Sequence, residues 1–178
     1  MISIKQLIAA IGCTAANAAL FLAPLNAAMA KYQINTPARI SAFLAQVAHE
    51  SARLQYVREI WNPKQCPWQA EYEGRHDLGN DQPGDGSLFR GRGLIQITGR
   101  ANYRDCGKAL GLPLEVSPIL LETPANAAMS AAWFWATHGC NELADAQKFI
   151  TITRVINGGT NGLKDRLALL DQATKAIA

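Results

Sequence analysis

Apolar residues recur at helical spacing along most of this chain, most clearly after Thr36. There Ile40, Phe43, Leu44 and Val47 fall three and four residues apart, the stripe of an amphipathic helix. Thr36 is placed as the N-cap and Pro37 as the first helical residue, where a missing N–H costs nothing. One turn further along the same stripe stands Glu50, while His49 falls off it. A carboxylate on a core-facing stripe resists ionising, because burial disfavours its charged form. A carboxyl that keeps its proton near neutral pH is a general acid. The structural alternative is a helix-end carboxylate paired with a buried arginine, and Arg39, Arg53 and Arg58 are close in sequence.

Upstream, Ile2, Leu7, Ile8 and Ile11 fit a short amphipathic helix, and a second is expected from about Ala15 to Lys31. The same segment has marks of a secretory leader: Lys5, an apolar stretch from Leu20 to Leu25, and the small-residue run Ala27-Ala28-Met29-Ala30. Asn17, Pro24 and Asn26 interrupt that stretch, so two structural helices are the expectation. No run approaches the ~20 apolar residues of a membrane-spanning helix, and no stable membrane insertion is expected.

The pattern changes near Arg53. Leu54 to Trp61 mixes polar and apolar residues in an extended-looking run that Asn62-Pro63 breaks. Residues 71–93, rich in Gly, Asp and Asn, read as a long loop with at most short strands, and long loops in compact domains are usually functional. Leu94 to Thr98 fits a strand or a helix start. Helices are expected at Ala101–Leu110, at Pro118–Leu121, and from a Thr123-Pro124 cap to Gly139. Asn141–Ile156 and Asn161–Ala178 complete the chain as helices around the turn at 157–162. The sum is an α+β, mainly helical single domain. N-terminal helices occupy 1–35 and a catalytic core 36–178, with a small irregular lobe at about 54–95.

With 178 residues, 49% of them hydrophobic and 17% charged, the chain is long enough for one real core and too apolar for disorder. A net charge of +3 suits approach to an anionic envelope, and without a Lys- or Arg-dense stripe no nucleic-acid partner is expected. Cys13, Cys66, Cys106 and Cys140 show no CxxC pair and no Cys/His ligand spacing, so no zinc site is implied. Free thiols are expected; two disulfides in any of three pairings are the alternative. Asp77, Asp81 and Asp85 miss the calcium-loop register, and Gly91 and Gly93 lack the spacing and Lys of a phosphate loop. No metal or cofactor is therefore expected. Trp133 and Trp135 read as core, Trp61 and Trp68 as candidates for sugar stacking, and His76 and His138 as surface or helix-end residues.

Glycosidic hydrolysis needs a second carboxyl group. Glu59 is the obvious partner for Glu50, nine positions on. Over that distance an unbroken helix turns about 900° and points the two side chains apart. The pair works only if the helix stops soon after Glu50, and the change at Arg53–Trp61 supplies that break. The structural alternative for Glu59 is a solvated carboxylate beside Arg58, with Glu71 and Glu73 as fallback candidates.

The stretches AQVAHES (45–51), YEGRHDLGN (72–80), FRGRGLIQITGRANY (89–103) and INGGTNG (156–162) carry a resemblance. Spanning roughly Thr36 to Leu170, they resemble glycoside hydrolase family 19, and within it the chitinase-like endolysins of bacteriophages and prophages. The resemblance implies a lysozyme-like, two-lobed fold with a substrate cleft. It also implies hydrolysis of a β-1,4-linked polymer of N-acetylated amino sugars. Glu50 then matches the general acid and Glu59 the second glutamate of phage-type members, which lies considerably further along in plant chitinases. Thr98 matches a hydroxyl residue that helps hold the attacking water, and Gln96, Asn102 and Asn157 match polar residues of the cleft. Arg166 matches a basic residue behind the glutamates, and His49 and Tyr103 belong to the same motifs as substrate contacts.

In the family mechanism water attacks opposite the leaving group and configuration inverts, which requires carboxyls about 6.5–9.5 Å apart; about 5 Å would mean a retaining route. Arg92 or Arg166 beside Glu59 would keep the base ionised while Glu50 stays protonated. The expected function is that of an endolysin cutting bacterial peptidoglycan as a monomer. It would be made in the host cytoplasm and act on the wall in the periplasm, with secretion through an N-terminal signal as the alternative. A chitinase is the near alternative. A non-catalytic wall-binding module is the distant one, and the joint presence of Glu50, Glu59 and Thr98 argues against it.

Overall fold

The structure, a computed structural model, describes residues 1–178. Nine α-helices carry the fold: α1 (Ile4–Ile11), α2 (Ala15–Lys31), α3 (Pro37–Glu50), α4 (Asp85–Leu88), α5 (Arg100–Leu110), α6 (Pro124–Thr137), α7 (Cys140–Asp145), α8 (Phe149–Asn157) and α9 (Leu163–Ile177). Tight 3-10 turns at Pro67–Tyr72, His76–Leu78 and Pro118–Glu122 fill the intervals. The β part is reduced to two isolated bridges, Arg58 with Arg92 and Arg92 with Ile97.

α3 is the central element. The Thr36 hydroxyl caps it by accepting the Arg39 N–H at 3.2 Å, and Pro37 opens it. Its burial exceeds a single stripe, because every residue from Ile40 to Ala48 is buried. Ser41, Ala42, Ala45 and Ala48 are small enough to let neighbours approach on the remaining faces. One of those neighbours is α9, packed along much of its length.

The two N-terminal helices form as the periodicity predicts. Ser3 and Gln6 make a reciprocal capping box on α1, and the Thr14 hydroxyl caps α2. α1 packs on α9 and α2 on α6, burying Leu7, Ile11, Phe21 and Leu25 in the same core as Phe43 and Trp135. No single helix is long and apolar enough to cross a membrane. α1 and α2 together are apolar enough by length and composition, but they meet at a bend of 112°.

A second, smaller core joins Phe89, Ile97, Tyr103, Cys106, Leu114 and Leu121. Of the expected small lobe at 54–95 only Phe89 belongs to it, and α5 with the turn at Pro118–Glu122 supplies half of its residues. Two local expectations are corrected. Leu94–Thr98 is neither strand nor helix start: Gly93, at φ 91°, opens a four-residue turn closed by the Arg92–Ile97 bridge. Asn141–Ile156 is two helices, because Gln147 adopts φ 56° and the Lys148 N–H turns back to the Leu143 carbonyl at 2.8 Å. All four cysteines are free thiols, and burial pushes Cys106 and Cys140 up to about 12.

Candidate active site

Glu50 is the last residue of α3, and the backbone beyond it turns by an unusual device. Ala52, Arg53 and Leu54 all take left-handed conformations, at φ 47°, 60° and 67°. Each costs a residue with a Cβ roughly 1–2 kcal/mol, so the turn must be held from outside. Ser51 and Leu54 are buried; the Ser51 hydroxyl donates to the Val47 carbonyl at 2.6 Å and accepts the Leu54 N–H at 2.9 Å. The Arg53 N–H closes on the Ala48 carbonyl at 2.7 Å. The helix therefore stops at Glu50, as the change of pattern near Arg53 leads one to expect.

Glu50 does not sit in apolar surroundings. Arg166 of α9 places Nη2 2.5 Å from Glu50 Oε1, and the Glu50 side chain is 22% exposed. The stripe runs out at the edge of the core, and α9 presents a guanidinium there in place of an apolar side chain. The partner is also none of the arginines near in sequence: Arg39 pairs with Asp145, Arg53 with Asp165 and Arg58 with Glu122. Arg166 is itself buried, its Nη1 on Gln46 Oε1 and its Nε on the Asn161 carbonyl. It thus stands behind Glu50, where the family resemblance puts a basic residue, and is too buried to be a direct substrate contact. Glu50 Oε2 receives no donor from the protein.

His49 is likewise engaged, its Nδ1 lying 2.6 Å from Asp165 Oδ2. Gly162, at φ 70°, lies against its ring, where any Cβ would overlap the imidazole. The turn at 157–162 thereby seats the start of α9 against the end of α3.

Glu59 is held by neutral donors. Gln69 Nε2 bonds Oε1 at 2.8 Å and the Gly91 N–H bonds Oε2 at 3.2 Å, while the Glu59 N–H donates to the Gly91 carbonyl at 2.9 Å. Gln69 is fixed in turn by the Ile60 carbonyl and the Asn62 N–H. Neither Arg92 nor Arg166 stands beside Glu59, against expectation. Arg92 is buried on Glu122 at 2.8 Å, the Leu88 carbonyl at 2.7 Å and the Tyr103 hydroxyl at 2.9 Å. Tyr103 is corrected as well. It is fully buried beside Phe89, and its hydroxyl donates to the Arg90 carbonyl at 2.6 Å. Burial pushes that phenol far above its ordinary range, and none of the side chain reaches the surface.

Glu59 opens on a groove of about 580 Å3 shared with Tyr56, Arg58, Trp61, Arg90 and Glu122. A second groove, of about 350 Å3, gathers Gln96, Thr98 and Asn102 with Trp133, Phe134 and His138. Gly91 links them: its N–H holds Glu59, and the Gln96 side chain lies so close that a Cβ there would overlap it. The Thr98 hydroxyl makes one long contact, 3.4 Å to the Gln96 carbonyl, and is otherwise free to hold water. Asn102 donates to the Thr98 carbonyl at 2.7 Å. Asn157, at the end of α8, has a buried Nδ2 with no partner, next in sequence to Val155 and Ile156 of the second groove.

The remaining candidates divide. Glu73 is spent on the Gly84 and Gly86 N–H groups at 2.5 and 2.9 Å, and Glu71 lies exposed outside either groove. Trp61 lines the Glu59 groove and Trp68 does not. Trp135 is core, its Nε1 on Asn141, and Trp133, half-buried against the second core, also lines the second groove. His76 is exposed beside Asp81, and His138 ends α6 stacked on Phe134 at 3.9 Å. Asp77 pairs with Arg75, and Asp85 with Arg100. Two charged groove residues escaped the sequence: Glu122, with no signal beyond preceding a helix cap, and Arg90, hidden within the FRGRG motif.

Residues 14–153 match the family described as chitinase class I, glycoside hydrolase family 19. A family 19 domain-containing protein of Haemophilus influenzae is 40% identical over 98 residues, covering 55% of this chain and 47% of the relative. An endochitinase of Arabidopsis thaliana is 40% identical over 121 residues, covering 67% of this chain and 39% of the relative. The chain thus spans less than half the length of these relatives. Chitinase C of Streptomyces griseus superposes with a TM-score of 0.77 at 25% identity, over 99% of this chain and 76% of that one. A bacterial family 19 chitinase shares the fold at a TM-score of 0.79 and 23% identity, over 99% of this chain and 95% of that one.

Proposed function

The chain belongs to glycoside hydrolase family 19, and on that premise we propose that it hydrolyses the β-1,4 bonds of a polymer of N-acetylated amino sugars, with Glu50 as general acid and Glu59 as general base. The observation that carries this reading is the placement of the two carboxylates: Glu50 at the end of α3 with Oε2 free of protein donors, and Glu59 beyond the left-handed turn on an open groove. Glu50 Oε2, free of protein donors, gives its proton to the glycosidic oxygen as the bond from that oxygen to the anomeric carbon breaks. The negative charge then appearing on Glu50 is met by a guanidinium already in place. Glu59, held by neutral donors, takes a proton from a water that the Thr98 hydroxyl orients. Attack opposite the leaving group inverts the anomeric centre.

Within that chemistry we take the substrate to be bacterial peptidoglycan, cut during host-cell lysis by an enzyme made in the cytoplasm and acting on the wall. The net charge of +3 suits a polymer that carries acidic peptides. Chitin is the second reading, favoured by the plant relatives, which are endochitinases. Separate digestion of purified peptidoglycan and chitin, with mass analysis of the new reducing ends and chromatographic assignment of their anomers, tests both. Release of α-anomeric ends from peptidoglycan supports the reading, cleavage of chitin alone moves it to the second substrate, and cleavage of neither removes it.

A further inference from the structure

Arg90 stands out in the Glu59 groove because no carboxylate pairs with its guanidinium. It takes part in no ion pair, its side chain makes no hydrogen bond, and its Nε is buried without a partner. The carboxylates of the same groove are occupied. Glu122 receives Arg92 Nε at 2.8 Å and Arg58 Nη1 at 3.4 Å, and both oxygens of Glu59 already accept from Gln69 and Gly91. Three guanidinium groups therefore crowd about two carboxylates. Burial together with the neighbouring Arg92 and Arg58 charges disfavours the Arg90 cation.

Burying an arginine unpaired is costly, and holding it among like charges adds to the cost. An incoming anion removes both penalties at once. The site is also held ready, since the Arg90 carbonyl is fixed by the buried Tyr103 hydroxyl at 2.6 Å and Gly91 is pinned between Glu59 and Gln96. A planar guanidinium fork suits a carboxylate, which it can grip through two parallel hydrogen bonds.

We propose that Arg90 receives a carboxylate borne by the glycan, and so selects an acid-substituted amino-sugar polymer over a neutral one. This inference rests on the hydrolase reading above for its substrate and specifies which side chain recognises the acidic group. Arg58, half-exposed at the same groove, guides the anion in but is already shared with Glu122. An unsubstituted N-acetylglucosamine polymer offers Arg90 no anion.

The test compares intact peptidoglycan sacculi with sacculi whose carboxyl groups have been converted to amides. For the wild-type protein, amidation should raise KM, and weaken binding in a sedimentation assay, by about tenfold, the worth of one charge-assisted hydrogen-bonded contact. In Arg90→Gln that ratio should fall close to one, and in Arg90→Lys, which keeps the charge but loses the fork, it should be intermediate. Lys108→Gln makes the same charge change on the exposed face of α5 and should keep the wild-type ratio. A wild-type protein indifferent to amidation overturns the proposal, as does an equal collapse of the ratio in Lys108→Gln. Because sedimentation needs no turnover, the two readings separate. Amidation-sensitive, Arg90-dependent binding without hydrolysis sinks the hydrolase reading alone, and hydrolysis without amidation sensitivity sinks this one alone.

Discussion

Arg166 Nη2 lies 2.5 Å from Glu50 Oε1, a contact between residues 116 positions apart that ties the last helix to the end of the central one. The pair joins stability to chemistry. Arg166→Ala strands the Gln46 side chain, the Asn161 carbonyl and the Glu50 carboxylate together, and should cost about 3 kcal/mol or more. Glu50→Gln keeps an acceptor for Arg166 at a partly exposed position and should lower Tm by only a few degrees, while reducing hydrolysis by at least about a hundredfold. Thermal unfolding beside sacculus clearing separates the two. A Glu50→Gln protein that cleared sacculi at the wild-type rate would dismiss Glu50 as the acid.

Thr98 allows a cleaner separation. Its hydroxyl makes only the 3.4 Å contact to the Gln96 carbonyl, so Thr98→Val removes almost no intramolecular bonding. Stability should stay within about 0.5 kcal/mol of wild type. Turnover should drop about tenfold or more, because the attacking water loses its second anchor. Steady-state rates with KM resolved from kcat decide this, and an undiminished kcat removes the water-positioning role.

The left-handed turn after Glu50 stores strain that can be released. Ala52, at φ 47°, is exposed, so Ala52→Gly deletes no packing and relieves the conformational penalty. A gain of about 0.5–1 kcal/mol is expected, read from urea unfolding at constant slope. Destabilisation would mean that the turn is held at no conformational cost.

What the sequence revealed and what it hid follow from the range of the interactions. The Thr36 cap, Pro37 and the stop after Glu50 are local, written within a few residues, and the same holds for the capped starts of α1 and α2. The partner of Glu50 is tertiary: Arg39, Arg53 and Arg58 were near in sequence, yet each is claimed by another carboxylate and Arg166 arrives from the far end of the chain. Tyr103 shows the limit of a motif. It stands in the same block as Gln96 and Thr98, but its turn of α5 faces the second core, where Arg92 and the Arg90 carbonyl take its hydroxyl. Arg90 was hardest to see, because its isolation depends on Glu122 being occupied by two other arginines.

A last prediction concerns acid. Asp85 is buried and accepts from Arg100 at 2.8 and 2.5 Å and from the Gln82 N–H at 3.1 Å. The Arg100 hydrogen bonds hold its pKa below the ordinary carboxylate value. A depressed folded-state pKa gives stability that is fully present above the unfolded value, and that stability is lost as pH falls through the folded one. The pair ties the start of α4 to the start of α5, where Arg100 also lies over the Phe89 ring at 4.5 Å. Tm should therefore be steady above about pH 5 and decline below about pH 4. Asp85→Asn should lower Tm at pH 7 and flatten that acid decline, because one carboxylate whose protonation opposes folding is gone. Calorimetry from pH 7 to pH 2 reads both effects, and an acid limb unchanged in Asp85→Asn would place the sensitivity in other ion pairs.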